Sequence, residues 1–278
     1  MEAELIAASA LAERLNETGL RIVDASWHAP PTGLDARALH REAHLPGAVF
    51  FDIDAVAGPP ADLPHMLPTP ETFAAAVGAL GIAESDVVVV YDQTGIASAA
   101  CRAWWTFRHF GQARVAVLDG GLPLWRAAGL PLAAGEAAPA PCAREPRAGC
   151  FAVWDRAAVL ANLERCERLL VDARSRERFA GRGPELWGDP GRIPGSVNLP
   201  YQELLDERGC LLPDAVLEAL VEAAGVPRDR PFAVTCGSGA TACVLAFAFA
   251  RLGQRDVALY DGSWVDWVRA ADTPRARD

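Results

Sequence analysis

The chain of 278 residues carries one pattern twice. Matching segments return in the same order, about 145 residues apart, and such self-similarity is the signature of a repeated structural unit. Because several landmarks keep their order, chance similarity is a poor explanation, and the sequence predicts two copies of one domain. The matching pairs are VDAS at 23–26 with VDAR at 171–174, LPGAV at 45–49 with IPGSV at 193–197, and LDGGLPLW at 118–125 with YDGSWVDW at 260–267.

Short apolar runs alternate with helical runs in the first copy. Residues 21–24, 87–91 and 114–118 are dominated by apolar side chains and predict buried strands. Residues 71–80, before Gly81, predict a helix. Alternation of this kind is typical of a mostly parallel sheet flanked by helices. We therefore expect two α/β domains in tandem.

The boundary between the copies lies in a stretch without periodicity. Residues 133–151 are rich in proline, alanine and glycine, and this composition predicts a linker. We expect a first domain at 1–132 and a second domain at 152–278. Because 51% of the residues are hydrophobic, each copy can bury a core of its own.

Charge and hydropathy argue against several classes of partner. The net charge of −10, without a basic stripe, disfavours nucleic acid. No apolar run reaches the roughly 18 residues that a membrane span needs. The N-terminal run MEAELI carries acidic residues where a secretory signal carries basic ones. These features predict a soluble cytoplasmic protein with no membrane or nucleic-acid partner.

The cysteines predict neither a disulfide framework nor a zinc site. Their number, seven, is odd, their spacing is irregular, and no two form a C-x-x-C pair. Cys101, Cys166 and Cys243 are expected to be small apolar core residues. Cys236 differs by its position, because it follows the apolar run at 231–234 and opens the small-residue segment CGSGATA.

Cys236 lies in a context that favours a thiolate. It is expected at the end of a buried strand, before a loop that leads into a helix. Backbone N–H groups and the positive end of the helix dipole meet at such a loop, and both stabilise an anion. They also lower the pKa of a cysteine in general. Gly237 and Gly239 allow the backbone to curl around an anionic group, so this loop is the predicted site of chemistry.

The first copy has a different residue at the matching place. The run 87–91 is followed by Asp92, which aligns with Cys236 when the two strands are matched by their ends. A carboxylate cannot perform thiolate chemistry. We therefore expect the first domain to lack a nucleophile and the second to carry it.

Several motifs accompany the Cys236 loop: FFDID at 50–54, HMLP at 65–68, DGG at 119–121, DAR at 172–174 and IPG at 193–195. Together these motifs resemble those of the tandem rhodanese-type sulfurtransferases, over essentially the whole length of the chain. The loop after Cys236 is similar to that of the 3-mercaptopyruvate branch, whereas the thiosulfate branch typically places Arg-Lys where Gly237 and Ser238 stand here.

The resemblance implies a mechanism in which sulfur moves through Cys236. Cys236 would take sulfane sulfur from 3-mercaptopyruvate as a persulfide and pass it to a thiol or to cyanide, with release of pyruvate. Ser238 would act beside it, with His65 and Asp54 reaching across from the first domain, and Arg178 would bind the substrate carboxylate. The persulfide would be held by the loop residues Gly237, Gly239, Ala240 and Thr241.

Chemical reasoning from the residues agrees with this scheme. A thiolate is a suitable nucleophile for sulfane sulfur. A Ser-His-Asp set can move the proton that the pyruvate enolate needs, and a guanidinium suits a carboxylate. No metal and no organic cofactor is required. The implied partners are a small-molecule sulfur donor and a thiol acceptor, such as a thioredoxin-like protein or a low-molecular-weight thiol.

Two departures from the family pattern bear on the donor. The usual GHIPG reads GRIPG at 191–195, and a second substrate arginine is missing from its usual place. Arg182 and Arg192 are candidates to replace it. Two alternatives stay open, a thiosulfate:cyanide sulfurtransferase and a non-catalytic sulfur carrier. A phosphatase is disfavoured because its loop needs Cys-x5-Arg, and the arginine position is Ala242.

Overall fold

The structure is a computed structural model that describes residues 4–60, 62–227 and 230–278. It contains two parallel sheets of five strands each within these residues, one in each half of the chain. No helix in the described ranges has the length and apolar character needed to cross a lipid bilayer. The expected α/β architecture, with two similar domains in tandem, is confirmed.

The first sheet has the strand order β1-β5-β4-β2-β3, and all its strands are parallel. The expected strands at 87–91 and 114–118 have those bounds, and the expected helix is displaced by one residue. Two short 3₁₀ turns, one in each half, lie at Pro30–Thr32 and Tyr201–Leu204. The elements of the first half are β1 (Glu4–Ile6), α1 (Ala8–Arg14), β2 (Leu20–Asp24), α2 (Ala36–Glu42), β3 (Val49–Phe50), α3 (Pro70–Ala79), β4 (Val87–Tyr91), α4 (Ser98–His109), β5 (Arg114–Leu118) and α5 (Gly121–Ala127).

The second sheet repeats the topology of the first. Its order, β6-β10-β9-β7-β8, places β9 in the middle, where β4 lies in the first sheet. Its strands are also parallel. The elements are β6 (Val153–Trp154), α6 (Arg156–Arg165), β7 (Leu169–Asp172), α7 (Arg176–Ala180), β8 (Val197–Asn198), α8 (Asp214–Ala223), β9 (Phe232–Thr235), α9 (Ala242–Arg251), β10 (Val257–Tyr260) and α10 (Ser263–Arg269).

One hydrophobic cluster spans both domains, and each domain has a second cluster of its own. Helices α4 and α9, which follow the two middle strands, pack against each other, with Trp104 of α4 edge-on to Phe247 of α9 at 4.9 Å between ring centroids. Both helices are buried along almost their whole length. Because α4 and α9 begin just after Asp92 and Cys236, this packing brings the carboxyl ends of the two middle strands towards one interface.

The segment between the domains runs back over the first domain. The backbone N–H of Cys142 donates to the carbonyl of Gly78, and that of Cys150 donates to the carbonyl of His109. The imidazole of His109 stacks on Trp105, and its Nδ1 accepts a hydrogen bond from the N–H of Phe151 at 3.3 Å. His109 therefore fastens the end of this segment to α4 as a neutral ring.

We expect acidification to weaken this attachment. Burial, with a smaller contribution from Arg102, lowers the pKa of His109 to about 4. The unfolded chain takes up this proton near its ordinary pKa of about 6.5, so the stabilisation is complete above that pH and is lost as the pH falls towards 4. The loss is at most about 3 kcal/mol. His109→Gln should flatten the dependence of the free energy of unfolding on pH between 6.5 and 4, measured by denaturant titration. Equal slopes in the variant and the parent would contradict the assignment.

Candidate active site

Cys236 follows β9 directly and lies at the base of its loop, with 1% of its surface exposed. Its Sγ accepts a hydrogen bond from the backbone N–H of Gly239 at 3.1 Å, and its own N–H donates to Ser263 Oγ at 3.2 Å. The carbonyls of Cys236 and Gly237 accept from the first turn of α10. The loop therefore turns carbonyls towards α10 and presents an N–H group to the sulfur.

Two glycines allow this loop to close. Gly239 has a φ of +87°, and a Cβ there would lie 2.7 Å from the carbonyl oxygen of Asp261. A Cβ on Gly237 would lie 2.6 Å from the indole of Trp187 and 2.9 Å from Nη2 of Arg178. Residues with side chains would thus collide with the wall of the site at either position.

Asp92 occupies the corresponding place in the first domain, directly after β4. Its Oδ1 accepts from the N–H and hydroxyl of Thr94 and from the N–H of Gly95, and its Oδ2 accepts from the N–H of Ala100. The bond from Gly95 to Asp92 matches the bond from Gly239 to Cys236, because each donor lies three residues after its acceptor. The carboxylate therefore fills the space that a sulfur atom would take.

A cleft of about 150 Å³ opens over the Cys236 loop and is lined by both domains. Arg178 and the indole of Trp187 border it on one side, and Trp27 borders it from the first domain. The remaining lining residues are Ala29, Ile53, Ser98, Ala99, Leu186, Gly237, Ser238, Ala240 and Thr241. Of the loop residues expected to hold a persulfide, Gly237, Ala240 and Thr241 thus share one cleft with the arginine expected to bind the donor, and Gly239 does not line it.

Arg178 is held in place by a buried carboxylate. Its Nε and Nη2 pair with Glu185 at 3.1 and 2.5 Å. Glu185 also accepts from Arg174 at 3.0 Å, and Arg174 in turn pairs with Asp172 at the end of β7. Burial alone would raise the pKa of Glu185, but Arg178 and Arg174 hold it below its ordinary value. This series of ion pairs fixes the guanidinium of Arg178, which is 28% exposed, at the cleft.

The other arginines of this region are engaged elsewhere. Arg174 is fully buried and stacks on Trp264. Arg176 is exposed and pairs with Glu203. Arg192 pairs with Asp278 at 2.8 Å. The side chain of Arg182 lies at the surface. Of the arginines singled out in the sequence around α7, Arg178 is the one that borders the cleft.

Asp54 and His65 form a pair beside the cleft. His65 Nδ1 contacts Asp54 Oδ1 at 2.6 Å, and Trp27 donates to Asp54 Oδ2 at 2.7 Å. Partial burial would raise the pKa of Asp54, but the bonds from His65 and Trp27 keep it below the ordinary value. The carboxylate is therefore ionised at neutral pH and fixes His65 with its Nδ1 proton towards Asp54. His65 Nε2 is buried without a hydrogen-bond partner among the described residues.

The structure places the Asp54–His65 pair in a neighbouring cavity of about 410 Å³. Trp187 borders both this cavity and the cleft over the Cys236 loop. Trp27 links the two sides, because it lines the cleft and packs edge-on against His65 at 4.5 Å between ring centroids. Asp54 and His65 thus lie in one cavity and the Cys236 loop borders the next, with the indole rings of Trp27 and Trp187 between them.

Ser238 lies in the loop, three residues before the N-cap of α9. The N-cap is Thr241, so Ser238 is not the capping residue of α9. Ser238 is 7% exposed and lines the cleft. This position is consistent with a role beside Cys236 rather than in helix initiation.

Sequence reasoning missed three residues of the site, namely Trp27, Glu185 and Trp187. Trp27 follows the end of β2 and could have been found from the rule that functional side chains gather at the carboxyl ends of parallel strands. Glu185 and Trp187 lie in the stretch 181–190, which has neither helix nor strand. Their roles depend on how that stretch folds over the loop, for which the sequence carries no local signal.

Comparison with known proteins agrees with the duplicated fold. The family model "Rhodanese-like domain" matches residues 7–128 and 155–270. Human 3-mercaptopyruvate sulfurtransferase is 40% identical over 91% of this chain and 86% of its own length, and bovine thiosulfate sulfurtransferase is equally identical over the same shares. The crystal structure of SseA from Escherichia coli, a 3-mercaptopyruvate sulfotransferase, superimposes with a TM-score of 0.86 at 37% identity, covering 94% of this chain and 99% of that one. The chain therefore belongs to the rhodanese-like family and is a tandem-domain sulfurtransferase.

Proposed function

We propose that this protein is a 3-mercaptopyruvate sulfurtransferase in which Cys236 carries the sulfur as a persulfide. The observation that carries the proposal is the cleft in which the Cys236 loop and Arg178 face a common space at the domain interface. In this proposal residues 152–278 form the catalytic domain. Residues 1–132 form a domain without a nucleophile that supplies Asp54 and His65, and residues 133–151 link the two.

The reaction is a displacement at sulfur. The thiolate of Cys236 attacks the thiol sulfur of 3-mercaptopyruvate, a sulfur–sulfur bond forms, and the carbon–sulfur bond breaks with its electron pair going to carbon. The leaving group is the enolate of pyruvate, which must gain a proton at carbon. His65, fixed by Asp54, is the group proposed to bring that proton, with Ser238 as the intermediate hydroxyl. The persulfide remains on Cys236, held by loop N–H groups such as that of Gly239.

The charge of the loop favours 3-mercaptopyruvate over thiosulfate. Thiosulfate is a compact dianion, and cationic side chains next to the cysteine would neutralise it directly. Gly237 and Ser238 stand there and carry no charge. Mercaptopyruvate has its carboxylate further from the sulfur, and we propose that this carboxylate binds in the part of the cleft that Arg178 borders. Arg182 and Arg192 stay proposals for a second contact, although the described contacts place both outside this part of the cleft.

The acceptor is proposed to be a thiol, either a low-molecular-weight thiol or a thioredoxin-like protein. A thiolate can attack the outer sulfur of a persulfide and leave Cys236 reduced. All seven cysteines of the chain are unpaired, as expected for the reducing cytoplasm. We therefore propose a cytoplasmic location, in which such acceptors are kept reduced.

The donor can be identified with the purified full-length protein. Pyruvate release from 3-mercaptopyruvate with a thiol acceptor is compared with thiocyanate formation from thiosulfate and cyanide. A higher kcat/KM for mercaptopyruvate is the expected result. An equal or higher value for thiosulfate would assign the protein to the alternative thiosulfate:cyanide activity. Absence of turnover with both donors would favour the sulfur-carrier alternative.

Arg178→Ala is expected to raise KM for mercaptopyruvate by roughly 10- to 150-fold, because losing a charged bidentate contact costs about 1.5–3 kcal/mol. A smaller change in kcat is expected, since the contact exists before and during the reaction. Arg176→Ala is the matched control, because it removes an arginine from the same helix that pairs with Glu203. Steady-state pyruvate release measures both variants. Equal KM values for the two variants would exclude Arg178 from carboxylate binding.

A further inference from the structure

A buried ion pair connects the two domains directly behind the candidate site. Arg102 of α4, in the first domain, pairs through Nη2 with Oδ1 of Asp261 in the second domain at 2.7 Å. The two side chains are 2% and 5% exposed. Burial alone would lower the pKa of Arg102, but Asp261 raises it, so the guanidinium stays charged. The pair joins residues from opposite domains in a site closed to water.

This ion pair holds the turn that carries His65. The same Nη2 of Arg102 donates to the backbone carbonyl of His65, and Oδ2 of Asp261 accepts from the backbone N–H of Leu67 at 2.8 Å. His65 has a φ of +60°, in the left-handed region that a residue with a side chain seldom adopts. These two bonds hold the backbone just after the His65 Cα and therefore stabilise a conformation that is unfavourable by itself.

The same two residues lie next to the Cys236 loop. A Cβ added to Gly239 would lie 2.7 Å from the backbone carbonyl oxygen of Asp261 and 3.5 Å from Nη1 of Arg102. Gly239 is the residue whose N–H donates to Cys236 Sγ. Arg102 and Asp261 thus hydrogen-bond to the His65 turn and leave no room for a side chain at Gly239 of the sulfur-binding loop.

We propose that Arg102, together with Asp261, is a positioning residue that fixes His65 of the first domain relative to the Cys236 loop of the second. This inference rests on the proposed function, in which His65 brings a proton to the enolate. Arg102 interacts with the side chain of Cys243, not with the sulfur of Cys236, and it does not line the cleft. It acts by setting the direction of the His65 ring, and a displacement of about 1 Å in such a group is enough to cost 10²-fold in rate.

A comparison of two sulfur donors distinguishes a role of Arg102 in positioning His65 from a role in general stability of the fold. Thiosulfate releases sulfite, which needs no proton on carbon, so sulfur transfer from thiosulfate to Cys236 does not require His65. Arg102→Met should therefore lower kcat for mercaptopyruvate by roughly 10- to 100-fold with little change in KM. Persulfide formation from thiosulfate, followed by mass spectrometry, should continue close to the parent rate. Loss of both reactions in a folded variant would overturn the proposal.

A double-mutant cycle tests the link to His65. If Arg102 acts through His65, the variant carrying Arg102→Met and His65→Ala should be no slower with mercaptopyruvate than His65→Ala alone. If the double variant instead lost kcat by the product of the two single losses, the positioning role would be overturned while the proposed function would remain intact. A parent rate in His65→Ala would instead remove His65 from the proposed function, and the positioning role with it.

Two further variants keep the test decisive. Arg144→Met removes a partly buried arginine of the linker that contacts Gln112 and Phe73 of the first domain, and it should leave kcat for mercaptopyruvate unchanged. Asp261→Asn preserves the shape of the pair and serves if Arg102→Met does not fold. It should lower kcat for mercaptopyruvate and show the same lack of additivity with His65→Ala. Additive losses in this variant would overturn the proposal equally.

Discussion

Replacing Cys236 by serine is expected to abolish sulfur transfer from every donor. A hydroxyl at this position is not ionised at neutral pH and cannot form a persulfide, so no turnover above background should remain. In the parent protein, treatment with donor in the absence of acceptor should add one sulfur, about 32 Da, to the peptide that contains Cys236. Mass spectrometry of the digested protein measures both the site and the extent of the modification.

The other buried cysteines serve as internal controls. Burial raises the pKa of Cys243 to about 12 and that of Cys210 to about 11, and it raises the pKa of Cys101 well above its ordinary value. Their thiols are therefore protonated and unreactive at neutral pH. Sulfur found on any of these three residues, or residual activity in Cys236→Ser, would show that the nucleophile has been misassigned.

The second large effect is expected at His65. His65→Ala should lower kcat for mercaptopyruvate by about 10² to 10⁴-fold, the usual contribution of a proton-transfer group. Asp54→Asn should cause a smaller loss, because the imidazole remains but loses the carboxylate that fixes its Nδ1 proton. Steady-state pyruvate release measures both variants.

The histidines of the first domain provide a matched control. His28, which contacts Gln93 at 3.1 Å, is another histidine near the carboxyl ends of the strands, and His28→Ala should retain most of the activity. A loss in His28→Ala as large as that in His65→Ala would mean that the first domain is generally disturbed. Full activity in His65→Ala would place the proton source elsewhere, for example on water in the cleft.

Much of the fold could be predicted because the determining signals are local. The run 87–91 is apolar or aromatic and the run 114–118 is apolar after Arg114, as expected for strands covered on both faces, and their bounds agree with the sequence analysis. The prediction that Cys166 is a core residue was wrong. Cys166 is exposed at the end of α6 with a φ of +53°, where it closes the helix in a left-handed conformation. Such a capping position is usually taken by glycine or asparagine, so the residue type was misleading.

The candidate site divides into a predictable and an unpredictable part. The position of Cys236 followed from an apolar run and a small-residue loop, which are features of one short segment. The family resemblance pointed to Arg178, but nothing in the sequence indicated that a buried carboxylate, Glu185, pairs with both Arg174 and Arg178 and fixes Arg178 at the cleft. Pairings of this kind join residues whose separation in the chain carries no periodic signal, and they appear once the backbone is known.

Asp92 has a consequence for how the two halves of the molecule behave during turnover. In the loop of the first domain, the Asp92 carboxylate takes the place of the sulfur, and it can neither gain nor lose a sulfur atom. The backbone N–H groups of Thr94, Gly95 and Ala100 therefore always have an acceptor. In the proposed mechanism, the loop of the second domain gains and loses a sulfur atom at every cycle. We therefore expect the first domain to act as a fixed frame that presents His65 and Arg102 in the same position whether Cys236 carries sulfur or not.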